Sequence, residues 1–168
     1  MDAIDVQPAH PGAAEDFCHV MACWATGRPS TDAVSTARPV GCTVSAVTSL
    51  SVAPPLLLIS LTHTSRTLAA IRAQGRFGLC VLPADREDLC LRFAEPGLTN
   101  RFVGCDHDWV LGVPLLDDVV SSTVCAVERE VVVADHVLIV AEPIWWRRRS
   151  DRHPLVRFRR DYWTVAPH

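Results

Sequence analysis

The chain has no lysine: all sixteen of its Lys and Arg residues are arginine. Without an ε-amine, Schiff-base chemistry is excluded. No C-x-x-C pair occurs, and the cysteines number seven, an odd count, scattered from Cys18 to Cys125. That pattern supports neither a zinc site nor a disulfide framework, and reduced, mostly buried thiols are expected. Cys105-Asp-His107 and Cys18-His19 near Cys23 gather ligating residue types, but no metal is expected at either. The chain lacks G-x-G-x-x-G and therefore a Rossmann dinucleotide site, and it lacks the G-x-S-x-G elbow of a serine nucleophile. No apolar run approaches the roughly 18 residues that span a bilayer. The first residues, Met1 to Pro8, have no signal-like apolar core, so a cytoplasmic protein away from membranes is expected. A net charge of −3 argues against a general nucleic-acid binder.

What is present is apolar. Hydrophobic residues make up 49% of the 168 positions, enough for one domain spanning 1–168 with a loose arm over 1–11. Surplus apolar surface in a small β protein points to a subunit interface, so a homodimer is expected. Phe17, Val20, Met21 and Trp24 recur at helical spacing, which predicts a helix over Glu15–Ala25 closed by Gly27. Ser65 is a good N-cap for a helix over Arg66–Ala73, and Asp85–Ala94 reads as a second helix with an acidic start. Strands are expected at 40–48, 56–61, 76–82, 119–133, 136–146, 154–158 and 162–165, with a hairpin turn at Ala134-Asp135. Alanine suits such a turn only if its φ is negative. Many strands, few helices and no βαβ alternation predict a mainly β barrel core with peripheral helices.

The most informative stretch is Gly41-Cys-Thr-Val-Ser-Ala-Val-Thr-Ser-Leu-Ser-Val-Ala-Pro-Pro-Leu-Leu-Leu-Ile-Ser-Leu61. Its first half sets Thr43, Ser45, Thr48, Ser49 and Ser51 among small and β-branched residues, giving short hydroxyls beside backbone N–H groups on an extended strand. Pro54 and Pro55 interrupt the ladder, and Leu56–Leu61 reads as a strand buried on both faces. Hydroxyls, a rigid break and a buried strand together suit a polar, planar ligand. The same residues also suit an ordinary Ser/Thr-rich strand and turn.

In order and spacing this stretch resembles the flavin-contacting strand pair of the flavin reductase-like family. The resemblance continues through Ser65-Arg-Thr-Leu-Ala-Ala-Ile-Arg72, Gly75-Arg-Phe-Gly-Leu-Cys-Val-Leu82, Arg92-Phe-Ala94, Gly112-Val-Pro-Leu-Leu-Asp117 and Asp135-His136. It covers roughly Phe17 to Val165. It implies a split β-barrel homodimer that moves hydride from NADH or NADPH to FMN or FAD. It also implies a flavin-dependent monooxygenase as partner, reached by diffusion or transient contact. One departure stands out. In the family a Thr-Gly pair runs straight into a strand, whereas here Thr26-Gly27 precedes Arg28-Pro-Ser-Thr-Asp32. The first strand is therefore expected late and short, at Ala33–Thr36, with an altered edge to the pocket.

The resemblance also assigns residues. Ser45, Ala46, Val47, Thr48 and Ser49 are the implied ring contacts, and Ser60 and Leu61 reach the ring or ribityl chain. Ser65, Arg66 and Thr67 open a helix where free amides and the dipole favour a phosphate. Phe93 lies at the pocket rim, and Arg159 and Tyr162 match the family's C-terminal motif. His136 is the implied catalytic histidine, orienting the nicotinamide rather than transferring a proton. Each has a plainer reading: Ser65 as an N-cap, Phe93 as core, His136 as an exposed hairpin residue. The basic blocks Trp145–Arg149 and Arg157–Arg160 read either as a phosphate clamp or as arginines paired with nearby acids. Two further readings stay open: a flavin-binding barrel without reductase activity, and a different enzyme on the same barrel.

Overall fold

The computed structural model describes residues 22–26, 38–149, 151–158 and 161–165. Eleven strands and two helices follow in order: β1 (Ala22–Thr26), β2 (Val40–Val44), β3 (Val47–Val52), β4 (Pro55–Thr62), α1 (Arg66–Gln74), β5 (Arg76–Val81), α2 (Glu87–Ala94), β6 (His107–Val110), β7 (Val113–Leu116), β8 (Ser121–Val133), β9 (His136–Arg148), β10 (Leu155–Phe158) and β11 (Asp161–Thr164). The fold is mainly β with few helices, as expected.

Seven strands form one antiparallel sheet in the order β2-β1-β5-β8-β9-β4-β3. Its two end strands, β2 and β3, are consecutive in the chain and joined only by Ser45-Ala46. The end of β2 and the start of β3 therefore lie beside each other at this corner. There the Ser60 amide donates to the Ala46 carbonyl at 3.1 Å. β6–β7 and β10–β11 are separate hairpins.

β5 explains why the sheet has two packed faces. Phe77, Leu79 and Val81 turn to a first core with Leu57, Ile59, Leu68, Ile71 and Ile139. Cys80 and Leu82 turn to a second with Phe93, Phe102, Leu115, Leu116 and Leu155. The alternation is the strand period of two, with each face supplied with its own helix. Each of these large side chains contributes about 1.5–3 kcal/mol by leaving water.

Several expectations need correction. The strand next to β2 is Ala22–Thr26, not Ala33–Thr36, and residues 22–25 are not helical. This segment pairs on both sides, with β2 and with β5, and two ladders outweigh a three-and-four apolar spacing read over eleven residues. The remainder of the predicted helix, Ala33–Thr36 and the arm 1–11 lie outside the described residues. The stretch predicted as one strand over 40–48 is two strands broken at Ser45-Ala46. β4 buries only Leu57, Ile59 and Leu61, with Leu56 and Leu58 half-buried, so it is one-faced. Pro55 opens β4 rather than interrupting it, paired with Val52 beyond the β3–β4 turn. Ala134 sits at φ 52°, in the left-handed region, contrary to the negative φ expected of it.

Candidate functional site

The β2–β3 corner leaves Ser45, Ala46 and Thr48 exposed, with Ser49 half-buried and Val47 packed on the first core. The Thr48 hydroxyl donates to the Ser49 carbonyl at 3.2 Å. Across β3–β4, Val47 pairs with Ile59, which brings the corner beside Ser60. Ser60 and Leu61 pair in turn with Leu138 and Val137, and Thr62 with His136.

Beyond β4 the chain turns straight into α1. The Ser65 amide donates to the Thr62 carbonyl at 2.9 Å, and the Ser65 hydroxyl accepts from the Leu68 amide at 3.4 Å. Ser65 is thus the N-cap that the sequence predicts, and Gly75 closes the helix at φ 66°. The cap occupies the Leu68 amide and the Ser65 carbonyl takes that of Ala69. The amides of Arg66 and Thr67 then have no partner among the described residues. These are the free donors a helix start presents to an anion. Arg66 stands exposed beside them and donates to the Leu98 carbonyl at 3.1 Å. The Thr67 side chain instead turns inward, 2% exposed, and bonds Cys42. Burial pushes the Cys42 thiol up, against the lowering effect of Thr67 and Arg101.

His136 lies on the same border. Its Nδ1 donates to Asp135 Oδ1 at 2.9 Å, which holds the Asp135 carboxyl below the ordinary carboxylate range. His63 donates to the Asp135 carbonyl from both its amide, at 3.0 Å, and its Nδ1, at 2.9 Å. With Nδ1 engaged, Nε2 of His136 is the ring atom left for another partner. His63 was not singled out by sequence. Only the register Thr62↔His136, seventy-four positions apart, places it there.

The structure does not bring all the predicted residues together. Phe93 is fully buried in the second core, edge-on to Phe102 with centroids 5.0 Å apart. Tyr162 packs on the same side, its hydroxyl 3.6 Å from Cys90 Sγ of α2 and under the Arg157 guanidinium. Its hydroxyl is pushed above the usual phenol range, first by burial and then by Cys90. Arg159 lies outside the described residues. In the first C-terminal block, Arg147 approaches Asp108 and Asp117 at 3.7 Å each and Arg149 bonds Asp118 at 2.8 Å, and between the blocks Arg152 bonds Asp85 at 3.0 Å. The reading of paired arginines is the one these contacts support. Among the described residues no cluster of three or more His, Cys, Asp or Glu side chains is arranged for a metal.

The corner, its neighbour Ser60, the α1 start and His136 therefore define a small antiparallel β protein with a polar, anion-receptive border. Against known families, residues 17–166 match the flavin reductase like domain, and the chain belongs to that family. An NADH-dependent flavin reductase of a Rhodococcus species is 37% identical over 69% of this chain and 64% of its own length. A flavin reductase (NADPH) of Lentzea aerocolonigenes is 34% identical over 92% of this chain and 94% of its own. Nitrilotriacetate monooxygenase component B from Mycobacterium thermoresistibile superposes with a TM-score of 0.78 at 27% identity, covering 90% and 82% of the two chains. The chain spans less than two thirds of the length of some curated relatives it matches, as little as 41%.

Proposed function

We propose that this chain is an NAD(P)H-dependent flavin reductase, taking FMN or FAD as its flavin and NADH or NADPH as donor. The observation that carries the reading is the corner itself. Exposed Ser45-Ala46 is pinned by Ser60, within the same strand border as two amides without a partner among the described residues and the exposed Arg66 guanidinium, which donates to the Leu98 carbonyl. A flavin has the matching parts: a flat polar ring for the corner and a phosphate for the helix start. When bound, it supplies the hydride acceptor. The chain supplies orientation: Ser45, Thr48, Ser49 and Ser60 offer hydroxyls and amides to the ring, Ser65, Arg66 and Thr67 receive the phosphate, and His136 Nε2 faces the nicotinamide. Holding two reactants at contact distance is the main work of such a site.

The finer assembly belongs to the same proposal: a split barrel working as a homodimer and passing reduced flavin to a monooxygenase. β8 pairs with β5 only as far as Ala126, and beyond it Val131, Val132 and Val133 are 44%, 71% and 48% exposed. An apolar free strand edge of this kind is the feature a subunit partner would cover. A relative named as a monooxygenase component supports the handover.

Steady-state oxidation of NADH and NADPH, with FMN and with FAD, tests the activity. Turnover that requires added flavin is the expected result. A folded protein that oxidises neither donor with either flavin would reject it. Arg66→Ala is expected to weaken FMN binding roughly tenfold and riboflavin binding hardly at all, because only FMN carries the phosphate. Equal losses would remove Arg66 from the phosphate role.

A further inference from the structure

Asp135 stands between two histidines. Its carboxylate accepts from His136 Nδ1 at 2.9 Å. Its backbone carbonyl accepts from His63 twice, from the amide at 3.0 Å and from Nδ1 at 2.9 Å. Neither oxygen has a proton to give, so each neutral ring holds its own on Nδ1 and keeps Nε2 as an acceptor. His63 follows β4 directly, one residue past the last β4–β9 pair, Thr62 with His136. Its side chain thus reaches across the sheet border to the turn that carries the other histidine.

That turn needs a hold from outside. Only Ala134 and Asp135 separate Val133 from His136, which pair with each other. Ala134 sits at φ 52°, a left-handed conformation in which a residue other than glycine persists only where its surroundings fix it. The Asp135 side chain is 76% exposed and that of His136 42%, which leaves the aim of the imidazole to hydrogen bonds rather than to packing. The Asp135 carbonyl belongs to the planar peptide that joins Asp135 to His136. A bond that fixes this carbonyl therefore fixes the direction in which the His136 side chain leaves the backbone. The same clamp reaches the other end of the site. His63 lies two positions before Ser65, whose amide donates to the Thr62 carbonyl at 2.9 Å, so the turn is tied to the α1 start assigned to the flavin phosphate.

We infer that His63 is a positioning residue for hydride transfer: its double hold on the Asp135 carbonyl aims His136 Nε2 at the nicotinamide and fixes that aim relative to the α1 start. The inference rests on the reductase reading and on the place given there to His136. His63 acts through Asp135 and His136, not on either reactant.

The test joins turnover to a signal that needs none. Oxidation of the preferred donor with FMN gives kcat and KM for His63→Ala, His63→Asn, His136→Ala and the double variant His63→Ala with His136→Ala. Asparagine keeps a side-chain N–H close to the place of Nδ1. Nitrogen NMR of the isotope-labelled protein at about pH 8.5, where an imidazole is neutral, reports which nitrogen of His136 carries the proton. His63→Ala is expected to lower kcat about tenfold with FMN affinity unchanged within about twofold, and to turn His136 from the Nδ1–H tautomer to a mixture. His63→Asn should restore both the rate and the tautomer. In the His136→Ala background, removing His63 should cost less than about twofold more, because the ring it aims is gone. Thermal melting reports folding, and His63→Gln, whose amide sits one bond further out, replaces His63→Ala if that variant does not fold. A wild-type kcat or an unmixed Nδ1–H tautomer in folded His63→Ala overturns the inference. So does a further loss of about tenfold in the His136→Ala background. If the wild type oxidises neither donor while His63→Ala still mixes the His136 tautomers, the clamp is upheld and the reductase reading alone fails.

Discussion

Ala134 illustrates how one side chain departs from its local rule. It holds φ 52° at the head of the β8–β9 hairpin, where the Cβ crowds the following carbonyl. The left-handed region costs a non-glycine residue about 1–2 kcal/mol, partly offset in a glycine by its greater unfolded-state entropy. Ala134→Gly is therefore expected to stabilise the protein by about 0.5–1 kcal/mol, seen as a higher denaturant midpoint at constant slope. A lower midpoint would mean that the alanine methyl makes a contact worth more than the strain. The neighbouring hairpin β6–β7 solves the same problem differently, with Leu111 at φ 50° followed by Gly112 at φ 80°. At this scale the sequence was readable where the rule is chemical and local. Ser65 caps and Gly75 closes, both as residue types alone suggest. It was unreadable where one residue type serves two ends: nothing in Arg92-Phe93 tells that the phenylalanine turns inward while the arginine grips a carbonyl eleven residues on.

Among the elements, length decided legibility. β8 and β9, thirteen residues each, carry enough alternation to be recognised from pattern. β1 has five residues, too few to show a period, and Trp24 shares a helical spacing with Phe17, Val20 and Met21 in the sequence. The break between β2 and β3 left no mark either, because Ser45 and Ala46 suit a strand as well as a corner. α2 offers a clear contrast with α1. Arg86 stands at its N-cap position without a side-chain cap, tied instead to Asp88 at 2.9 Å, so the helix depends on its buried face. Leu89, Cys90 and Phe93 provide that face. Phe93→Ala is expected to cost about 3–5 kcal/mol of stability, whereas Phe93→Leu should lower the melting temperature modestly. Flavin affinity of the folded Phe93→Leu protein should match wild type, since the ring has no exposed surface to offer. A tenfold loss of affinity at unchanged melting temperature would return Phe93 to the pocket.

Across the whole molecule, buried thiols set an alkaline limit. Cys80 is fully buried and its pKa is pushed up from 9.0 to about 11, chiefly by burial, and burial raises Cys125 further. In the unfolded chain these thiols lose their protons near 9, while in the folded protein they keep them. The unfolded state then binds fewer protons, so stability falls as pH rises above 9 and through the folded values. For Cys80 alone the loss reaches about 2 kcal/mol by pH 11, at a slope of at most roughly 1.4 kcal/mol per pH step. Denaturant titrations at pH 8 and 10.5 should show it, and Cys80→Ala should reduce the fall. A stability independent of pH across that range would mean that water reaches these sulfurs. The mainly β class with few helices was legible from strand-rich patterning and the absence of βαβ alternation. The bond from Arg101 to the Gly41 carbonyl was not, because the two lie sixty positions apart and only the folded sheet joins them.

The two-residue link at Ser45-Ala46 gives the sheet a closure condition. Six pairings run from β2 round to β3, and the chain itself supplies the seventh connection. A slip of one residue in any pairing displaces one side of that link by about 3.3 Å relative to the other. Two residues span at most about 7 Å, so they have almost no slack to absorb the error. The corner therefore works as a tolerance gauge: it has its proper shape only when all six registers are right. A ligand that needs this corner counts the correctly assembled molecules in a preparation, so on the proposed function the stoichiometry of flavin binding is a measure of folding yield.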